Sequence, residues 1–435
     1  MTDHPTPAKL GLTELIAMGV GGMIGGGIFS VLGIAAGISG HATPLAFALG
    51  GLIALLAGYS YVKLALAYRD DGASFTYLRH AFPNHPNIAG IEGWTVIVGY
   101  IGTLALYAFT FGAYASNLLG SSDDPQVRTL LSTGVLLFFM VVNLRGVRSS
   151  GRTEDLIVYT KIILLALFAI AGMRTVRSDN ILPVFDLGVS SVFIAGATVF
   201  VAFEGFQLIT NAISEIDCPD KNVPRGIYGS IIITTLIYVS VALVAIGSMP
   251  IQELIDAEEY ALAIAAEPVL GNAGRVLIGI AALLATSSAI NATVFGASRM
   301  MSQMATERVT PRAFSFRSRT NKVPVVGIIT LTVLGIAFTT LNSLGTIASF
   351  SSLTFLLVSL AVGVANYRLR ATTGAKPAIV ILGIVVVIMT IALLLAYMWD
   401  NERQTLFSIA LLYGAVIVAE FGFSKRRVFM RSRVS

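Results

Sequence analysis

The run Gly19-Val20-Gly21-Gly22-Met23-Ile24-Gly25-Gly26-Gly27-Ile28-Phe29 constrains this chain more than any other stretch. Six glycines fall within nine residues, inside an apolar span, Leu12 to Ile38, whose only charge is Glu14. Such a length crosses a bilayer, which takes about 20 apolar residues. Each glycine costs a helix about 1 kcal/mol against alanine, so the centre of this span is a poor place for continuous helix. In hydrocarbon, unwound backbone survives only where protein buries it or where it lines a cavity. The sequence therefore predicts a membrane helix broken near its middle. The alternative is a continuous helix whose small residues let a neighbour approach closely.

Composition places the rest of the chain in the same setting. Of 435 residues, 55% are hydrophobic and only 12% charged, where a soluble domain carries about twice that charge. Apolar length predicts twelve spans, at 11–38, 44–66, 90–118, 129–144, 155–173, 190–212, 226–249, 272–303, 324–341, 345–367, 377–398 and 405–423. The net charge of +5 follows this topology. With the N-terminus in the cytoplasm, 23 of the 29 Lys and Arg residues fall on the cytoplasmic side and 5 outside, with Lys161 left inside a span. That bias predicts a multi-pass protein of the cell membrane with both termini cytoplasmic. No run of bases interleaved with aromatics points to nucleic acid, and no secretory signal is expected from the polar start. The single cysteine, Cys218, and four scattered histidines predict neither a disulfide framework nor a metal site. The connections 69–87, inside, and 250–271, outside, are long enough for surface helices, and the latter carries the acidic run Glu253 to Glu259. The basic segment 424–435 reads as a cytoplasmic tail on the lipid surface.

A second span is unusual in the same way. Phe200-Val201-Ala202-Phe203-Glu204-Gly205-Phe206-Gln207 sets a carboxylate beside a glycine deep in an apolar run. A charge at membrane depth costs several kcal/mol unless it faces a cavity or a partner, and the glycine eases a local break. The first and sixth spans thus carry matching interruptions. They fit two five-span halves, 11–173 and 190–367, followed by two added spans, 377–423. Interruptions at corresponding positions of two halves point to an inverted-repeat transporter. A half-helix N-terminus suits a carboxylate and a half-helix C-terminus suits an ammonium. One pair of breaks can hold a zwitterionic amino acid by backbone alone.

These residues carry a family resemblance. Met23-Ile24-Gly25-Gly26-Gly27-Ile28-Phe29, Phe200 to Phe206, the loop Glu215-Ile216-Asp217-Cys218-Pro219-Asp220-Lys221-Asn222-Val223-Pro224-Arg225 and Ser287 to Thr293 stand in the order of the amino acid–polyamine–organocation superfamily. The chain resembles its archaeal and bacterial proton-coupled amino-acid transporters over nearly all of residues 10–423. The resemblance implies an all-α fold of about 12 transmembrane helices, the LeuT-type 5+5 inverted repeat with helices 1 and 6 broken. The chain departs from the family at Gln207, often an acid or other polar residue in relatives, at Gly26, often Ser or Ala, and at Glu204, usually apolar.

The resemblance also implies roles. The substrate carboxylate meets N–H groups of Gly25, Gly26 and Gly27, and its ammonium meets carbonyls around Val201 and Phe203. Lys161 lies about 9 Å into its span at 1.5 Å per residue. Snorkelling to the interface is one reading. The other, from relatives with a lysine at this place, sets its ammonium where sodium-coupled members hold sodium, between carbonyls near Gly21 and the hydroxyl of Ser287 or Ser288. A lysine so placed can release a proton during transport. Glu204 has three readings: binding a cationic side chain, relaying protons, or pairing with a structural neighbour. No phosphate-cradling Gly-x-x-x-x-Gly-Lys-Ser/Thr loop and no cofactor motif is present, and Lys161 and Glu204 alone are too sparse for a membrane enzyme. The sequence is read as a secondary transporter importing amino acids with protons by alternating access, with lipid, substrate and protons as partners. An amino acid–amine exchanger and a membrane nutrient sensor are the alternatives.

Overall fold

The computed structural model describes residues 10–70, 72–122, 124–146, 151–306, 309–318 and 320–431. Among the charges that set sidedness, Lys9, Arg148, Arg308, Arg319 and Arg433 lie outside these residues, as do the last four positions of the basic tail. The described chain is helical throughout, apart from turns and one isolated backbone bridge between Leu10 and Ile216.

The glycine run divides the first span. Helix α1 (Leu12–Met23) stops at Met23 and α2 (Gly27–Ser39) begins at Gly27. Between them Ile24, Gly25 and Gly26 form a turn. Then follow α3 (Thr43–Tyr68), the short α4 (Ala73–Ala81), α5 (Pro86–Leu118), α6 (Pro125–Leu144) and α7 (Gly151–Gly172). Proline at the start of α3, α5 and α6 suits a first turn whose N–H has no intrahelical acceptor. Asp124 caps α6, accepting from the Gln126 and Val127 N–H groups at 2.8 and 3.4 Å.

The sixth span is broken more extensively. Helix α8 (Val189–Thr198) tightens into a 3₁₀ stretch, Val199–Phe203. Glu204 is extended, Gly205 turns the chain at φ 143°, and a second 3₁₀ stretch runs Phe206–Glu215. After it come α9 (Pro219–Ser248), the short α10 (Ile251–Asp256) and α11 (Ala261–Ala265), and α12 (Glu267–Thr306). Helices α13 (Val325–Leu341), α14 (Leu344–Arg368), α15 (Arg370–Thr373), α16 (Pro377–Asn401) and α17 (Arg403–Arg431) complete the chain. Among the described residues, eight helical stretches are long and apolar enough to cross a membrane, and four shorter apolar helices, including α1 and α13, accompany them.

The broken segments occupy the centre. Helix α1 packs between α9, α7 and the 3₁₀ stretch of the sixth span, while α5 packs against α12, α14 and α6. Val20, Met23, Ile24, Phe29, Phe200 and Phe203 are buried there. Leu130, Phe138, Ile170 and Leu411 are exposed on outer helices, as fits helices surrounded by lipid. Leu10, just before α1, is tied to the end of the broken sixth span: its N–H donates to the Glu215 carbonyl at 2.8 Å, and Asp217 N–H to its carbonyl at 2.9 Å.

Candidate functional site

The two breaks meet backbone to backbone. A Cβ on Gly205 would lie 2.5 Å from the Gly22 carbonyl carbon and the Met23 nitrogen. Together with φ 143°, that approach admits only glycine. Tyr238 on α9 joins the same crossing. Its hydroxyl lies 2.6 Å from the Met23 carbonyl and 3.0 Å from the Ala202 carbonyl. One phenolic proton is therefore shared between two carbonyls at the ends of the broken helices. Ser352 on α14 holds the same side of the sixth-span break, accepting from Val201 N–H at 2.9 Å and donating to the Thr198 carbonyl at 2.5 Å.

Below the crossing lies a cavity of about 550 Å³. It runs from Gly21, Gly22, Tyr107 and Glu204 to the end of the bundle that holds Leu10, Glu14, Gly72 and Gln303. Its walls come from α1, α4, α5, α12 and the sixth-span break, with Tyr61 of α3, Val158 of α7 and Phe355 and Val358 of α14. On α5 the lining residues Val96, Tyr100, Thr103 and Tyr107 recur at helical spacing, so one face of that helix forms a wall. The volume is in the range of small-molecule sites.

Glu204 is 5% exposed at the cavity floor. Its carboxylate accepts from the Gln207 amide, whose oxygen in turn accepts from Gly205 N–H at 3.2 Å. Gln207 thus fixes the carboxylate with an amide and supplies no charge. Tyr61, Tyr100 and Tyr107 line the same cavity. Lys161, 1% exposed, donates from Nζ to the Gly21 carbonyl at 2.8 Å. That carbonyl lies in the last turn of α1, where orphan carbonyls and the helix dipole favour a cation.

The structure divides the residues singled out in the sequence. Gly21, Glu204 and Ser288 line the cavity, and Lys161 reaches it through Gly21. Gly25, Gly26, Gly27, Val201, Phe203 and Ser287 are not in its lining. A Cβ on Gly26 would lie 2.4 Å from the Tyr107 ring, and one on Gly27 would lie 2.3 Å from the Tyr238 hydroxyl. Phe203 packs edge-on against Tyr238 at 5.3 Å. Sequence reasoning overlooked Tyr238, Ser352, Tyr107 and Glu92. Tyr238 is a polar aromatic in mid-span, a signal that a buried partner exists. Glu92 is a charge near the start of the expected third span, and 4% exposed. Ser352 carries no signal, since serine is common in membrane helices.

The far end is closed. The segment α10–α11 packs on α2, and a Cβ on Gly33 would lie 2.4 Å from the Glu258 carbonyl oxygen. Arg128 ion-pairs with Glu259 and stands 4.2 Å over the Phe109 ring. Burial first, then the Glu259 and Glu402 carboxylates, push the Glu258 carboxyl above its usual range. Burial pushes Glu402 up as well, against a hydrogen bond from Ser349.

Comparison with known proteins gives a consistent result. The amino acid permease family model matches residues 10–419. The chain is 36% identical over 424 residues to the uncharacterized protein MJ0609 of Methanocaldococcus jannaschii, covering 96% of this chain and 95% of the relative. It is 33% identical over 419 residues to the inner membrane transport protein YbaT of Escherichia coli, covering 94% and 95%. It is 26% identical over 374 residues to the branched-chain amino acid permease BcaP of Bacillus subtilis, covering 81% and 80%.

Proposed function

This chain belongs to the amino acid permease family, and on that premise we propose that it carries amino acids into the cell with protons by alternating access. The observation that carries the reading is the cavity that ends where two broken helices cross, with Glu204 on its floor and Lys161 bonded to its wall. A path open at one end and closed at the other is what a carrier needs and a channel does not.

We read the long and shorter apolar helices as twelve spans of the cell membrane, α1 and α2 together forming the first and α3 the second. They form two inverted five-helix halves, 11–173 and 190–367, followed by 377–423. The excess of Lys and Arg puts the open end of the cavity, with both termini, in the cytoplasm. The state described is then inward-facing, with α10 and α11 closing the outer end. The substrate carboxylate meets the start of α2 at Gly25, Gly26 and Gly27, and the ammonium meets carbonyls near Val201 and Phe203. Tyr107 and Tyr238 cover those glycines here, so binding moves these rings. Lys161, with Gly21 and Ser287 or Ser288, occupies the cation position and releases a proton in the cycle. Glu204 selects a cationic side chain, because the amide of Gln207 leaves its charge uncompensated.

Uptake of a labelled amino-acid panel into proteoliposomes, with and without an imposed pH gradient, tests this. Concentrative uptake driven by the pH gradient in the absence of sodium is expected. Saturable binding without any flux would replace the transporter by a sensor. Flux that occurs only against a second amino acid or amine would replace symport by exchange.

A further inference from the structure

Glu92 belongs to none of the roles above, and its surroundings are unusual. It stands one helical step before Val96, on the α5 face that goes on to line the cavity through Tyr100, Thr103 and Tyr107. It does not reach the cavity itself. Helix α4 packs against α5 here, and Ser74 of α4, which lines the cavity, is the hydroxyl beside its carboxyl. Its Oε1 is buried with no hydrogen-bond partner. Tyr61 of α3 and Tyr413 of α17 are the phenols in its electrostatic neighbourhood, and Tyr77 of α4 packs edge-on against Tyr61 at 6.4 Å. Glu420 of α17 lies against Gly90, and Glu204 lies beyond Tyr61. Among the described residues no Lys, Arg or His forms an ion pair with it. A buried carboxyl oxygen with no donor is costly as an anion and tolerable as an acid.

Resting on the transport reading, we propose that Glu92 is a second proton-carrying site of the transport cycle, loaded from the cavity through Ser74. A proton is the one cation this site can take, because Ser74 lines the cavity and Glu92 sits behind it. A hydronium ion in the cavity gives its proton to the Ser74 oxygen while the Ser74 hydroxyl proton passes to the carboxylate. One O–H bond forms on serine and one breaks, the carboxylate becomes a carboxylic acid, and water is left behind. Return by the same route unloads the site. Helix α4 carries Ser74, so a shift of α4 during the cycle changes whether Glu92 communicates with the cavity.

The test is the ratio of protons to substrate moved into proteoliposomes, read with a pH-sensitive dye and a labelled amino acid in the same sample. The ratio does not depend on how much protein is folded. Glu92→Gln is expected to lower it, and with it the accumulation reached at a given pH difference, while counterflow at equal pH persists. Glu92→Asp is expected to restore the ratio, and Ser74→Ala to slow proton entry more than substrate entry. An unchanged ratio in Glu92→Gln overturns the proposal. So does wild-type flux with no accompanying protons, which leaves the transporter reading in place. Absence of substrate flux in wild type overturns both. If Glu92→Gln gives no folded protein, a Ser74→Ala variant that loads protons at the wild-type rate overturns it.

Discussion

At the residue scale, Gly205 and Glu204 divide the work of the sixth-span break. Gly205 gives the backbone a conformation and an approach that a methyl group would forbid. Gly205→Ala should destabilise the protein by about 1–3 kcal/mol through forced positive-φ strain, and further through the clash of its Cβ with the Gly22 and Met23 backbone. Thermal unfolding in detergent, compared with an alanine placed at exposed Gly134, checks this. Gly27→Val, by contrast, is a poor probe of ligand approach, because its Cβ collides with Tyr238 before any ligand is present. Glu204 tests specificity better. In competition binding, arginine or lysine should outcompete leucine on the wild type, and Glu204→Met should reverse the order by removing the charge and keeping an extended side chain. The same order in both proteins would assign Glu204 to another role.

At the element scale, breaks are stable because neighbouring helices supply what the broken backbone lacks. Tyr238 and Ser352 come from α9 and α14, so the half of the sixth span that precedes the break is held from two different helices, and Tyr238 also ties it to the end of α1. Tyr238→Phe keeps the ring and removes the one hydroxyl proton shared by the Met23 and Ala202 carbonyls. A loss of about 1–3 kcal/mol is expected, together with altered transport kinetics, measured by unfolding and by initial uptake rates. The closed end has its own chemistry. Glu258 and Glu402 hold protons more tightly folded than unfolded. Their stabilising contribution is therefore complete below the usual carboxylate range and is lost as pH rises through their raised values. Thermal stability should fall as pH rises through that window, and Glu402→Gln should flatten the profile. A wild-type profile that rises with pH over the same window would contradict the assignment.

At the scale of the whole molecule, the proposed coupling makes a simple prediction. Lys161→Ala should abolish accumulation driven by a pH gradient and leave a folded protein, and sodium should not substitute for protons. Normal concentrative uptake by the variant, or uptake driven by sodium at fixed pH, would exclude the role. Much of this architecture was legible in the sequence. Apolar length located the long membrane-crossing helices, and glycine density located the interruption between Met23 and Gly27, because both effects are local and additive along a helix. The pairing of Lys161 with the carbonyl of Gly21 was legible only through family resemblance, since it spans 140 positions. What the sequence by itself determined, then, is which segments are long and apolar enough to cross a membrane, where the first of them breaks and which charged side chains lie within them. Tertiary structure alone decided which partner satisfies each broken backbone group, which glycines open on the cavity and which are covered by Tyr107 and Tyr238, and that Glu92 lies behind its wall. Those outcomes depend on side chains that meet from distant positions in the chain, and hydrogen bonding and close packing at such meetings leave no periodic mark in either segment.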